Sequence, residues 1–290
     1  MIFLLLSILT STFIFVAFKL IARNHIPVLP AIVVNYTVCV IEGSLAEGGL
    51  PPLLDIMTRP WFMNSLIMGG LFISVFYLTA LTVQYSGLAV ASIANKLSLI
   101  IPVTAAYFLY DDTFTTAKML GIAMAMLSVV LAAYKTDKEG HRHNFNYYFF
   151  PLLVLIGSGI IDTFTKWNQE NYLAEDEFNL YLIMVFGTAA AIGWMIVFYR
   201  FFYLKETVRL RTVGHGLLLG IPNYGTMYFL IAALNQPGWK SSVVFPVNNI
   251  AIVAVSCIVA YFLFREKLSR LNIAGIVMSV IAIFLIMQSA

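Results

Sequence analysis

The chain has 290 residues, of which 61% are hydrophobic and only 11% charged, with a formal net charge of +3. A soluble domain carries about 25% charged residues, so the composition excludes an ordinary soluble protein, and so small a positive excess leaves no electrostatic footprint for nucleic acid. Cys39 and Cys257 both fall in apolar stretches and read as free thiols packed like small hydrophobes, with no disulfide framework.

A helix needs about 20 apolar residues to cross ~30 Å of hydrocarbon, and ten stretches meet that need. Span one covers roughly residues 1–20; it has neither a basic start nor a small-residue cleavage site and reads as a retained helix rather than a removed signal peptide. Spans two and three follow at roughly 28–46 and 64–83, span four at roughly 88–109 and span five at roughly 117–134. The polar connector 135–146 comes next. Spans six to ten lie at roughly 147–166, 178–203, 213–234, 241–264 and 271–287. The expected fold is an all-α membrane protein: ten transmembrane helices as two inverted five-helix repeats around a central cavity. Residues 1–134 form the first repeat, 135–146 a linker and 147–290 the second.

The duplication is visible in the residues. Segment 85–134 resembles 239–288: Asn95 falls on Asn249, Ala106 on Ala260, Gly121 on Gly275 and Met124 on Met278. Leu5–Lys19 likewise meets Leu152–Lys166, with Ser11 on Ser158 and Lys19 on Lys166. Internal duplication in a polytopic chain is a signature of transporters. Five spans per half is an odd number, so the second half is expected to be inverted and equivalent loops to carry opposite charge. Asp111 and Asp112 after span four answer to Arg265, Lys267 and Arg270 after span nine; Glu47 and Asp55 answer to Lys205, Arg209 and Arg211; Arg23 answers to Glu170, Glu175, Asp176 and Glu177. Lysine and arginine gather in the connectors after spans one, five, seven and nine, whereas only Arg59, Lys118 and Lys240 lie in those after two, four and eight. The positive-inside rule puts the first set in the cytoplasm and both termini outside.

The segment Phe264-Arg265-Glu266-Lys267-Leu268, closing one apolar helix before another that carries Gly275, resembles the hallmark of EamA-like repeats in the drug/metabolite transporter superfamily. Tyr107–Leu131 resembles it too, with Pro102 before and Gly121 after. The sequence departs from the pattern where Asp112 stands opposite Glu266 and Ser256 opposite Pro102. The resemblance implies a ten-helix bundle in a bacterial inner membrane, working by alternating access as a monomer or loose dimer. It also implies export or exchange of small metabolites such as amino acids, organic anions or nucleotide sugars. Relatives are expected to keep their termini in the cytoplasm, against the loop charges here.

Lys96 is the outlier. It lies about ten residues into span four, ~15 Å along the helix. A lysine facing lipid at that depth costs at least ~2.5–3.5 kcal/mol. It is therefore expected to face the bundle interior, either lining a cavity that takes an anionic substrate or in a structural ion pair with Asp162. Asn95 and Asn249 fall at matching repeat positions, with Asn248 opposite Ala94, and all three asparagines are expected to line the same cavity; interhelical hydrogen bonding is the plainer alternative. Gly220-Ile221-Pro222-Asn223-Tyr224-Gly225 in span eight reads as a broken helix aiming Asn223 and Tyr224 inward, or as a simple proline kink. Tyr36, Tyr77 and Tyr228 are further lining candidates. Spans three, four, eight and nine are expected to enclose the cavity.

Asp162 in span six is a candidate proton carrier, unless it pairs with Lys96 or Lys166. Glu42 reads as interfacial. Lys19 and Lys166 read as snorkelling anchors, and Trp61, Trp167 and Trp239 as belt residues. His141 and His143 have no third ligand nearby, and no HExxH, Walker or nucleophile-elbow pattern occurs. No cofactor and no metal are expected; the expected partners are a small-molecule substrate, protons and the lipid bilayer. The rival readings are an intramembrane enzyme using Lys96 and Asp162, and a non-transporting scaffold or channel.

Overall fold

In an apolar phase the backbone can satisfy its own polar groups only within a helix or a closed barrel, and long Leu-, Ile-, Val- and Phe-rich runs favour the helix. The structure, a computed structural model, describes residues 1–49, 53–102, 104, 116–133, 145–174, 176–234, 236, 241–266 and 268–288. These contain eleven α-helices and no strand. They are α1 (Ile2–Arg23), α2 (Val28–Glu47), α3 (Leu53–Met57), α4 (Phe62–Tyr85), α5 (Leu88–Leu97), α6 (Thr116–Ala133), α7 (Asn146–Asn171), α8 (Phe178–Tyr203), α9 (Leu210–Leu234), α10 (Ser241–Phe262) and α11 (Arg270–Gln288).

Six of these, α1, α2, α4, α7, α8 and α9, are long and apolar enough to cross a membrane; the apolar stretches of the segment beginning with α5 and of α6, α10 and α11 are shorter. Large hydrophobics stand exposed along several flanks, among them Leu9, Ile67, Leu127, Ile156 and Ile196. Water would not tolerate apolar surface on that scale; the chain is a multi-pass membrane protein. The run Phe198–Leu204 at the end of α8 is exposed at Phe198, Tyr199, Phe201, Phe202 and Tyr203, the composition of an interfacial aromatic belt.

Helices meet where small residues let backbones approach. A Cβ on Gly275 of α11 would come within 2.5 Å of the Ala132 backbone nitrogen in α6. Gly216 and Gly220 of α9 lie so close to α2 that an added Cβ would meet Val34 and Val38 at 2.5 and 2.7 Å. The short α5 packs against α1, α4, α6, α7, α10 and α11, which makes it the hub of the bundle.

The structure departs from the expected elements in three places. A short α3, absent from the ten-span reading, sits between spans two and three. Span four is interrupted: α5 ends at Leu97, Ser98–Leu99 form a turn in which Ser98 keeps helical angles (φ −53°, ψ −23°), and helix resumes at Ile100. Pro102 explains the break, since it offers no N–H to the carbonyl of Ser98 and its ring crowds that carbonyl. Conversely, α9 runs unbroken through Pro222, so the broken helix expected at Gly220–Gly225 does not form. The Tyr107–Asp112 motif and most of the 135–146 linker lie outside the described residues.

Candidate functional site

The break in α5 gathers the polar groups that sequence singled out in the first half. Asn95 Nδ2 donates to Ser158 Oγ on α7 at 3.0 Å. Ser98 Oγ, in the turn itself, lies 2.6 Å from the Asn95 carbonyl oxygen and 3.0 Å from Asp162 Oδ2 on α7. Lys96 is half-buried and within electrostatic reach of Asp162, yet no nitrogen–oxygen contact within 4.0 Å joins them. The direct ion pair weighed from sequence is not made; Ser98 holds Asp162 instead. Asp162 remains exposed at the surface of α7.

A hydroxyl carries one proton, and this limits what Ser98 can do. With Asp162 ionised, Ser98 can donate to it or to the Asn95 carbonyl, but not strongly to both. With Asp162 protonated, the carboxylic O–H can donate to Ser98 while Ser98 donates to the carbonyl. A proton on Asp162 would thereby be registered at Ser98, where the helix is interrupted.

The remaining sequence candidates divide between other places. Asn248 on α10, which packs against α5, is 2% exposed and its Oδ1 has no partner among the described residues. Asn249 beside it is half-buried. Tyr224 and Tyr228 line a different space, a cavity of about 650 Å³ between α1, α2 and α9. At this cavity the expected enclosure by spans three, four, eight and nine holds only for span eight. The Tyr224 hydroxyl donates to Asn179 Oδ1 at 3.1 Å, and Asn179 Nδ2 donates to Glu47 Oε2 at 2.6 Å. The side-chain amides of Asn223 and Asn35 lie 3.0 Å apart, tying α9 to α2. Tyr77 stands exposed on α4. Tyr36 is no cavity residue: it is fully buried and donates to the Phe72 carbonyl at 2.9 Å.

Three other readings need correction. Lys19 does not snorkel; its Nζ lies 2.6 Å from Glu266 Oε1. That carboxylate also accepts the Leu88 N–H at 3.0 Å. One residue of the Phe264–Leu268 motif thus joins the end of α1, the start of α5 and the end of α10. Trp61 is not a belt residue; it is fully buried, and its Nε1 donates at 3.0 Å to Glu177, which also pairs with Arg59 at 2.6 Å. Trp167 stacks on Phe164, and Trp239 lies outside the described residues. Glu42 is not simply interfacial, because it lines the α1–α2–α9 cavity. Serines such as Ser98 gave no signal in the sequence, being routine in membrane helices.

No protein-family model matches the chain. An uncharacterized protein of Haemophilus influenzae (strain ATCC 51907 / DSM 11121 / KW20 / Rd) is 26% identical over 287 residues, 97% of this chain and 96% of that one. A solved structure described only as the crystal structure of a protein matches at a TM-score of 0.61 with 13% identity, over 98% of this chain and 94% of the other. That likeness shows a shared fold. Fold alone does not carry function, so the functional reading rests on the residues.

Proposed function

We propose that the chain is a secondary-active transporter of the drug/metabolite superfamily type, moving a small polar or anionic metabolite by alternating access. Lys96 meets the anion, and Asp162 carries a coupling proton. The observation that carries this reading is the pair itself. A cation and a carboxylate from opposite halves lie within electrostatic reach of each other where the helix is interrupted, not paired with one another, and Ser98 beside Lys96 bonds the carboxylate. Charges so placed in a membrane protein mark substrate and ion pathways by default, and broken helices are where transporters form their sites.

The packing scheme supports the inverted repeat. If α1, α2, α4, α5 and α6 correspond to α7, α8, α9, α10 and α11, the contact of α1 with α9 is mirrored by α7 with α4. By the same rule α2 with α9 is mirrored by α8 with α4, and α1 with α10 by α7 with α5. Hydrogen bonds between helix ends support ten crossings. Asn24 with His215, Lys19 with Glu266, Ser86 with Tyr147, and Asn272 with Ala132 all join ends that ten alternating crossings put on one side. Glu47 with Asn179 and Arg59 with Glu177 join ends on the other. Loop charge makes the first side cytoplasmic.

In this reading the substrate anion approaches Lys96, reduces the field of Lys96 on Asp162 and thereby favours proton uptake by the carboxylate. Anion binding and protonation become one coupled event that uses residues of both halves. A thermal-shift screen of small carboxylates and phosphates tests the first step, since a ligand that binds only the folded state raises its stability by mass action. A stabilising anion that loses its effect in Lys96→Gln supports the site. An anion that stabilises wild type and Lys96→Gln equally contradicts it.

A further inference from the structure

The cavity between α1, α2 and α9 is not absorbed by the Lys96–Asp162 centre. Its walls are apolar and aromatic: Phe13 of α1, and Tyr224, Tyr228 and Phe229 of α9. Among the described residues its one carboxyl group is Glu42, and no lysine, arginine or histidine lines it. Glu42 Oε2 is buried and has no hydrogen-bond partner among the described residues. A second carboxylate, Glu47, stands behind Tyr224 through Asn179. The mouth opens on the apolar flank of three helices long enough to span a membrane, where Phe13, Ile221 and Tyr228 are exposed.

Each feature selects an occupant. A carboxylate set in an apolar wall, with one oxygen lacking a donor, is costly to keep charged unless a cation approaches the group. Aromatic faces attract cations through their negative quadrupole, more strongly when water is excluded. An apolar wall excludes small hydrated ions and rewards a hydrocarbon body. A volume of about 650 Å³ is in the size class of drug-sized ligands. An acidic, aromatic cavity also rejects the anions that suit Lys96. We infer that this cavity is a binding site for a monovalent organic cation with an aromatic or aliphatic body, reached from within the bilayer, with Glu42 as its counter-charge.

Space for the ligand depends on Gly225. The nearest atoms to a Cβ there would belong to Phe229 and Thr10, at 3.4 and 3.5 Å, which is ordinary contact, and Gly225 lines the cavity, so a side chain added there takes up its volume. Gly225→Leu therefore blocks the site by volume, whereas Glu42→Gln removes its charge at nearly constant shape.

The probe is benzyltrimethylammonium, compared with its uncharged carbon isostere neopentylbenzene, in nanodiscs of a zwitterionic phospholipid. The expected result is that the cation binds at least ten-fold more tightly than the isostere. Glu42→Gln and Gly225→Leu should each weaken cation binding at least ten-fold, and Glu42→Asp should retain most of it. Lys96→Gln should leave cation binding unchanged, which separates this site from the proposed transport centre. Equal affinity for cation and isostere would mean that a lipid chain is the natural occupant, and would overturn the proposal. Unchanged cation binding in Glu42→Gln, or its loss in Lys96→Gln, would overturn it as well.

Discussion

At the scale of residues, the proposed coupling turns on one hydroxyl. Ser98 is the contact between α5 and Asp162. Asp162→Asn keeps a group that can hydrogen-bond to Ser98 but cannot release a proton. In liposomes it should preserve exchange of substrate across the membrane and lose accumulation driven by a pH gradient; accumulation at the wild-type level would assign the proton elsewhere. Ser98→Ala removes one hydrogen bond, worth about 0.5–1.5 kcal/mol. It should lower the unfolding free energy by about that amount without abolishing anion binding.

Lys96, Asn95 and Asp162 were legible in the sequence because charge or amide in hydrocarbon is costly and so demands an explanation. Ser98 and Ser158 were not, since a serine can satisfy itself on its own helix. Glu42 and Lys19 were misread for a related reason. Near a helix end, sequence cannot distinguish a side chain that reaches water from one that turns inward to a partner brought by another helix.

At the scale of elements, Glu266 holds three helix ends together. Its carboxylate pairs with Lys19 and accepts the Leu88 N–H at the start of α5, where the helix dipole also favours negative charge. Gly87, just before that helix, has φ of 105°, and a Cβ there would lie 2.9 Å from Glu266 Oε2. The backbone angle demands glycine, and any side chain there would also displace the Glu266 carboxylate. Glu266→Gln keeps an acceptor for Leu88 but loses the ion pair; Glu266→Ala loses both. Thermal or denaturant unfolding in detergent should show a cost of about 1 kcal/mol for the first and about 2 for the second. Equal, negligible effects would show that the three-way junction adds nothing to stability. At the α6–α11 crossing, Gly275→Ala must push backbones apart and should cost about 1–3 kcal/mol by the same measurement. The repeat alignment, which set Gly121 against Gly275, had already marked this helix as one of a matched pair. Neither the interruption after α5 nor the unbroken course of α9 was legible, because a proline reveals which hydrogen bond is lost and not whether neighbouring helices hold the chain straight.

At the scale of the whole molecule, composition and span length made the helical, multi-pass class legible. The way the helices pair was not, because tertiary pairing depends on small-residue contacts spread over many positions. Sidedness can be checked directly. Cys39 and Cys257 are buried free thiols, so a cysteine introduced at Gly140 gives a nearly clean label. Gly140→Cys in intact cells should resist a membrane-impermeant thiol reagent and react after permeabilisation. Reaction in intact cells would reverse the orientation drawn from loop charge.

The claim that the protein moves a solute, and does not convert it or pass current, is tested most directly by counterflow. Purified protein is sealed into liposomes preloaded with an anion that stabilises it, and the same anion, isotopically labelled, is added outside. A transporter working by alternating access should accumulate label transiently above its equilibrium level, and Lys96→Gln should abolish that overshoot. Label that equilibrates no faster than in protein-free liposomes, or chemical conversion of the anion in place of exchange, would contradict the account.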